Sequence, residues 1–363
     1  MNNKDIAVRY VEEINKVATK LGTIRLMEVC GTHTVAIFRA GIRQLLPKNI
    51  ELVSGPGCPV CVTADEYIDK AISYAKREDV TITTFGDMLK VPGSTSSLTE
   101  AQGEGADIKI VYSPLDSIEI AKQNPTRKVI FLAVGFETTA PTAAATVLAA
   151  KTQGVNNLFM LSAQKLVPPA LRMLLSDTEV NVDGFILPGH VAVIIGSNAF
   201  NFLASDYNIS GVVTGFEPLE ILRSILRLLV MIDSGKAEVV NEYKSVVSDN
   251  GNTAAQKVLN QVYEPVDSEW RGIGKIDASG LKMCEEFSGF DIERVEPIQV
   301  ESVSRKTACR CGDVLRGVIN PTMCPLFGKA CIPTHAVGPC MVSVEGVCAA
   351  WYKYGANRFN ISQ

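Results

Sequence analysis

The chain has 363 residues, 47% hydrophobic and 20% charged, enough for two or three globular domains with sizeable cores. A net charge of −4 argues against an electrostatic nucleic-acid binder. No apolar stretch free of charge reaches membrane-spanning length, and the opening "MNNKDIAVRYVEEINKVATKLG" has the pattern of a charged amphipathic helix rather than a signal peptide. The expectation is a soluble cytoplasmic protein without a nucleic-acid or membrane partner.

Residues 1–48 read as an N-terminal helical segment that carries "MEVCGTHT" (27–34), a short apolar run, then Cys-Gly-Thr-His, then a helix pattern. "IELVS" (50–54) precedes "GPGCPVC" and a helix near 63–77; "VTITTF" (80–85) and "DIKIVYS" (107–113) follow. "KVIFLAVG" (128–135), "NLFMLSA" (157–163), "VDGFILPG" (182–189) and "ISGVVTGF" (209–216) are each followed by a helical pattern. Continuous apolar strands with helices between them predict parallel sheets covered on both faces. The Pro-containing link at 112–128 places a boundary near 125, giving one α/β domain over 49–125 and a second over 126–235. "GFETTAP" (135–141) and "GFEPLE" (215–220) share three letters, a faint internal repeat. After about 235 the character changes. Residues 236–270 still look helical, and the remainder to 363 is a Gly-, Pro- and Cys-rich stretch without periodicity, read as a small irregular domain ordered by a metal centre.

In an open α/β sheet, ligands bind outside the carboxyl ends of the strands. The unusual loops sit there: "CGTH", "GPGCPVC", "GFETTAP" and "PGH", and they could converge on one cleft. Cys58 and Cys61 stand at a predicted helix N-terminus, where the dipole lowers thiol pKa. They suit a reversible dithiol or a pair of metal thiolates; the plainer reading is a tight turn with two buried thiols. Cys30 and His33 with Cys58 and Cys61 also make a three-cysteine, one-histidine set of the kind that holds structural zinc. A site at the ligand-binding edge would more naturally keep an open position. His190 suits proton transfer, or a structural hydrogen bond. Glu137, Thr138 and Thr139 could be catalytic or only a helix cap. Glu345 is a further catalytic candidate.

The C-terminal cysteines read C-x-C-x12-C-x6-C-x8-C-x7-C, namely Cys309, Cys311, Cys324, Cys331, Cys340 and Cys348. An iron–sulfur cluster needs four thiolates, and six are present. Zinc held by four thiolates is the main competitor, since cysteines alone do not name the metal.

Taken together, "MEVCGTHT", "SGPGCPVC", "GFETTAP", "LPGHV", "CRCGDVLRG", "CPLFGKAC" and "GPCMVSVEGVCAAWY" closely resemble, in order and over nearly the whole chain, the HypD family of [NiFe]-hydrogenase maturation factors. The departures are slight: His335 in "CIPTHAVGPC" and Trp351 in "CAAWY", neither replacing a thiol. The resemblance implies two stacked parallel-sheet α/β domains plus a smaller C-terminal domain holding a [4Fe-4S] cluster. It implies a part in building the Fe(CN)2CO unit of the hydrogenase, with the partner HypC sharing the iron and HypE, charged by HypF, delivering cyanide. On that footing Cys30 is a ligand to the iron being assembled, and His33 and His190 support it or handle protons. Cys58 and Cys61 cycle between dithiol and disulfide or ligate iron transiently. Cys309, Cys324, Cys331 and Cys340 are the cluster ligands, with Cys311 and Cys348 as alternates. Two rivals stand beside this reading: an Fe–S thiol–disulfide reductase, and a zinc-stabilised binding scaffold.

Overall fold

The computed structural model describes residues 2–300 and 307–355; residues 301–306 and 356–363 of the expected C-terminal domain lie outside the described residues. The strands are β1 (Ile24–Glu28), β2 (Ile50–Ser54), β3 (Val80–Thr84), β4 (Ile108–Ile110), β5 (Lys128–Gly135), β6 (Leu158–Gln164), β7 (Gly184–Pro188), β8 (Ser210–Thr214), β9 (Val239–Asn241), β10 (Tyr263–Trp270) and β11 (Gly274–Met283). They build two parallel sheets, ordered β2-β1-β7-β8-β9 and β4-β3-β5-β6, and one antiparallel hairpin, β10-β11. The fold class is the expected one, two parallel-sheet α/β units followed by a small irregular C-terminal region of short helical turns.

The sheets are not built from consecutive stretches of chain. β1 pairs with β2 on one side (Ile24↔Ile50) and with β7 on the other (Leu26↔Gly184), so the CGTH and CPVC loops belong to the sheet of the later strands. Residue 125 lies in the turn before β5, within the unit of the other sheet, where β3 pairs with both β4 and β5. A linear reading divides the chain by links; strand pairing crosses them.

The central strands are covered on both faces because their sequences leave no polar face. β5, "KVIFLAVG", is buried at every position after Lys128. The helix Asn3–Ala18 starts where the Asn2 side chain accepts from the Asp5 backbone N–H at 2.9 Å. Its Ile14 joins the buried core that holds Leu26, Ile221 and Leu228 of the five-stranded unit. The helix Pro218–Ser234 opens on a capping box made by Glu217 and Glu220 and stops at Gly235, whose φ of 68° closes the last turn.

Residues 236–270, expected to be helical, hold the helix Thr253–Val262 but also β9 and β10. The hairpin β10-β11 docks on the end of β6, where the Leu166 N–H donates to the Ser279 carbonyl at 2.8 Å. Buried Trp270 anchors its turn: its indole N–H donates to the Ser279 hydroxyl at 2.8 Å and its ring stacks on Phe136. The irregular C-terminal region shares one apolar core with the five-stranded unit, in which Cys58, Cys61, Cys324, Cys331, Cys340 and Cys348 are all buried. The helix Val347–Gly355 is tied in through Arg43. That guanidinium lies over the Phe38 and Trp351 rings and pairs with buried Glu28 at 2.6 Å. Among the described residues no helix is long and apolar enough to cross a membrane.

Candidate functional site

The carboxyl ends of the two parallel sheets face a common cleft of about 640 Å³. The loops after β1, β2, β3, β5 and β7 reach it, bringing Cys30, Gly57, Asp87, Thr138 and His190 together with Glu345. The convergence follows from topology, since every strand in both sheets is parallel and so its following loop emerges at the same edge. The C-terminal segment bridges the cleft. Ser343 donates to the Asp87 carboxylate at 2.7 Å and Thr32 donates to Glu345 at 2.8 Å, so one short segment holds a loop from each sheet.

Cys30 precedes the helix Gly31–Arg39 and keeps part of its surface in the cleft. Burial pushes its thiol up to about 11, against the backbone N–H of His33 and the Thr32 hydroxyl, which pull it down; the Glu345 charge pushes it up again. The GPG turn is pressed against Cys30. The Gly31 N–H donates to the Gly57 carbonyl at 3.1 Å, and a methyl group on Gly57 would lie 2.5 Å from the Cys30 Cα.

Cys58 precedes the short helix Pro59–Val62 and Cys61 lies within it; both are buried, and neither lines the cleft. Cys61 is in thiol contact with Cys58 and with Cys340, its Sγ 3.9 Å from the Pro339 carbonyl. The helix N-terminus was expected to lower these thiols. For Cys61 the opposite holds: burial first, then its two thiol neighbours, push it well above the ordinary range. A single-turn helix has too small a dipole to offset that desolvation.

His33 is wholly buried. Its Nε2 lies 2.9 Å from the Gly215 carbonyl, so the proton sits there and Nδ1 is left without a partner. Burial holds its pKa down at about 4, which makes it neutral at physiological pH. His190 opens the helix Gly189–Ile195, reaches the cleft, and is also shifted down, by burial first, with Glu345 pulling upward. Between the two imidazoles lies Phe216, its centroid 4.5 Å from His33 and 4.1 Å from His190. Sequence reasoning missed Phe216 as a site residue. The Gly-Phe-Glu repeat was its signal: Phe136 and Phe216 occupy the same place, after β5 in one sheet and after β8 in the other.

Glu137 does not line the cleft. It caps a neighbouring helix, its Oε1 accepting from the Val167 N–H at 2.8 Å, while Oε2 is buried without a partner. Burial raises this carboxyl to about 7, against the backbone bonds that lower it. Thr139 precedes the helix Ala140–Thr152 without a side-chain cap bond.

All six C-terminal cysteines border one hollow, whose remaining lining is Val314, Phe327, Gly338 and Met341. No oxygen or nitrogen side chain enters this lining. The thiols are in mutual contact: Cys309 with Cys311, Cys311 with Cys340, and Cys340 with Cys348 and Cys61. The Val337 N–H points at Cys331 Sγ, 3.4 Å away. The donor set suits an iron–sulfur cluster, being all-thiol, more than sufficient in number, and set in an apolar shell. The space free between the sulfurs is about 10 Å³, so the fit is one of donor chemistry rather than of volume. Among the described residues, no three His, Cys, Asp or Glu are placed to hold one metal ion. The set Cys30, His33, Cys58 and Cys61 is thus not assembled as a zinc site: His33 is engaged by Gly215 and Cys61 faces Cys340.

A family model described as HypD, the hydrogenase formation hypA family, matches residues 5–355. The hydrogenase maturation factor HypD of Escherichia coli is 45% identical over 332 residues, covering 91% of this chain and 89% of that protein. A putative hydrogenase expression/formation protein of Methanocaldococcus jannaschii is 43% identical, covering 98% of each chain. The hydrogenase maturation factor HypD of Rhodobacter capsulatus is 42% identical, covering 97% of this chain and 96% of its own. Similarity of this extent, running through the cleft loops and the cysteine-lined hollow alike, makes the chain a member of the HypD family of hydrogenase maturation factors.

Proposed function

We propose that the chain is a cytoplasmic, redox-active Fe–S scaffold that, with HypC, holds iron while the Fe(CN)2CO unit of a [NiFe]-hydrogenase is assembled, cyanide coming from HypE charged by HypF. The observation that carries the reading is the run of thiols. Cys30 opens on the cleft, and from the adjacent CPVC loop Cys58, Cys61 and Cys340 lead without a gap into the six-cysteine hollow.

In this reading Cys30 is the ligand to the incoming iron, which is cargo. Its soft sulfur suits an iron carrying cyanide and carbon monoxide. The thiol is held protonated in the absence of a cation, and a cation beside Cys30 and Glu345 favours its loss of the proton. His190, a neutral imidazole at the cleft, is placed to take that proton. Cys58 and Cys61 serve as the dithiol: closing their disulfide forms one S–S bond, its two electrons going to the iron unit under assembly, which consumes reducing equivalents, and its two protons to solvent. Cys309, Cys324, Cys331 and Cys340 would hold the resident [4Fe-4S] cluster, with Cys311 and Cys348 beside it. When bound, the cluster supplies one-electron transfer. The burial of Cys58 and Cys61 weighs against a general disulfide reductase, whose attacking thiol must meet a partner's disulfide.

The test is Cys30→Ser in the full chain co-expressed with HypC. Cyanide and carbonyl infrared bands should accompany the wild-type pair and vanish from the variant, while its iron–sulfur content is unchanged. Bands of wild-type strength in Cys30→Ser would remove Cys30 from the assembly site.

A further inference from the structure

The turn between β10 and β11 places a guanidinium where two thiol loops meet. The Arg271 side chain is 10% exposed and pairs with the Asp65 carboxylate; its Nη1 donates to the Pro92 carbonyl at 3.0 Å. Its backbone N–H donates to the Val62 carbonyl at 2.9 Å, one residue after Cys61. The next residue, Gly272, has φ +74° and lies against Gly312: a methyl group there would be 2.8 Å from the Gly312 Cα and 3.6 Å from Cys311 Sγ. The hairpin turn is therefore clamped between the CPVC segment and the Cys-Arg-Cys-Gly segment, with Arg271 at the junction.

Desolvating a guanidinium costs several kcal/mol, and nothing in the turn's backbone geometry requires a charge there. Asp65, 26% exposed, offsets it in part. Arg271 stands one residue before the Gly272 that abuts Gly312 and Cys311, and, after the larger effects of the neighbouring thiols and burial, its positive charge favours the thiolates of Cys309 and Cys311. The neighbouring basic residues of the Cys-rich segment are engaged elsewhere, Arg310 by Asp313 and Arg316 by Asp177, Glu179 and Asp313. Local charge and hydrogen bonding set the reduction potential of a thiolate-held cluster.

We propose that Arg271 sets the reduction potential of the group held by the C-terminal cysteines, its buried positive charge favouring the reduced, more negative state, with Asp65 as the counterweight. This rests on the cluster reading given above.

The experiment is a mediated dithionite titration of the full-length, anaerobically purified chain, followed by its visible absorption. The wild type is compared with Arg271→Gln, Arg271→Lys and Asp65→Asn, each with iron and sulfide counted. In Arg271→Gln the equilibrium constant for reduction should fall at least tenfold, a drop of about 59 mV for one electron. Arg271→Lys, which keeps the charge, should stay nearer the wild type, and Asp65→Asn should shift the potential upward. A purely structural Arg271 would leave the potential of the loaded variants where it was. Should Arg271→Gln fail to hold iron and sulfide, Asp65→Asn decides: an upward shift supports the proposal and an unchanged potential overturns it. A wild type without iron and sulfide would overturn the cluster reading itself, and this proposal with it.

Discussion

Gly57→Ala tests how the two cysteine loops are held together. At position 57 the new methyl group would meet the Cys30 Cα and N at 2.5 Å and its carbonyl carbon at 2.8 Å, all backbone atoms. Ordinary contact begins near 3.4 Å, so the loops must part by about 0.9 Å. Neither side yields readily. The Gly57 carbonyl accepts from Gly31, and the Gly55 N–H donates to the Glu28 carbonyl at 2.8 Å. Overpacking of this kind costs about 1–3 kcal/mol, which at roughly 2–4 °C per kcal/mol lowers Tm by about 2–12 °C. The functional loss should exceed the loss of stability, because a shift of about 1 Å in a reacting group can cost on the order of 100-fold in rate. The assay pairs thermal unfolding with hydrogenase maturation in cells lacking their own HypD. Gly103→Ala, where nothing lies within 4 Å, is the control and should be silent in both. A Gly57→Ala protein with wild-type Tm and full maturation would refute the packing argument.

Two further outcomes follow from burial. Glu137 has its carboxyl raised to about 7 from 4.5, so between those pH values the folded state keeps a proton that the unfolded state has lost. The Glu137 contribution to stability should therefore fall as pH rises from about 4.5 to about 7, by up to about 3 kcal/mol, against the rise that buried, neutral His33 contributes over much of the same range. Glu137→Gln should remove that falling component in denaturant titrations, so that stability rises with pH more steeply than in the wild type, and a pH dependence equal to the wild type's would contradict the assignment. In the reduced chain under native conditions, iodoacetamide should modify Cys30 and Cys284, which are partly exposed, long before Cys58 and Cys61. Peptide mapping that finds all four labelled at one rate would show that the CPVC thiols are not shielded.

Much of this molecule was legible in the letters. The apolar strands and the loops at their carboxyl ends were plain because parallel strands covered on both faces need unbroken apolar runs. Strand partnership was not, since nothing local to "IRLME" says that it lies between β2 and β7. The hairpin β10-β11 was hidden for a different reason. "YEPVDSEW" is buried only at Tyr263 and Trp270, so it lacks the apolar face that marks a strand, and it follows a true helix. The cysteine spacing announced thiol chemistry but could not show that Cys61 faces Cys340, some 280 residues later in the chain. The dipole argument for lowered thiols failed because it weighed a local effect without the burial that tertiary packing adds. Arg271 escaped notice because a lone arginine carries no periodic signal, and Phe216 because its signal was a repeat only three letters long; each matters only through what the fold lays beside it.

The C-terminal cysteines are proposed to hold a cluster in service of the cleft. Iron, sulfide and zinc analysis of the anaerobically purified full-length chain, with a visible spectrum before and after dithionite, tests it most directly. About four iron and about four sulfide per chain are expected, with a brown absorption that bleaches on reduction. Zinc without sulfide, reproduced in anaerobic preparations, would contradict it and leave a structural scaffold.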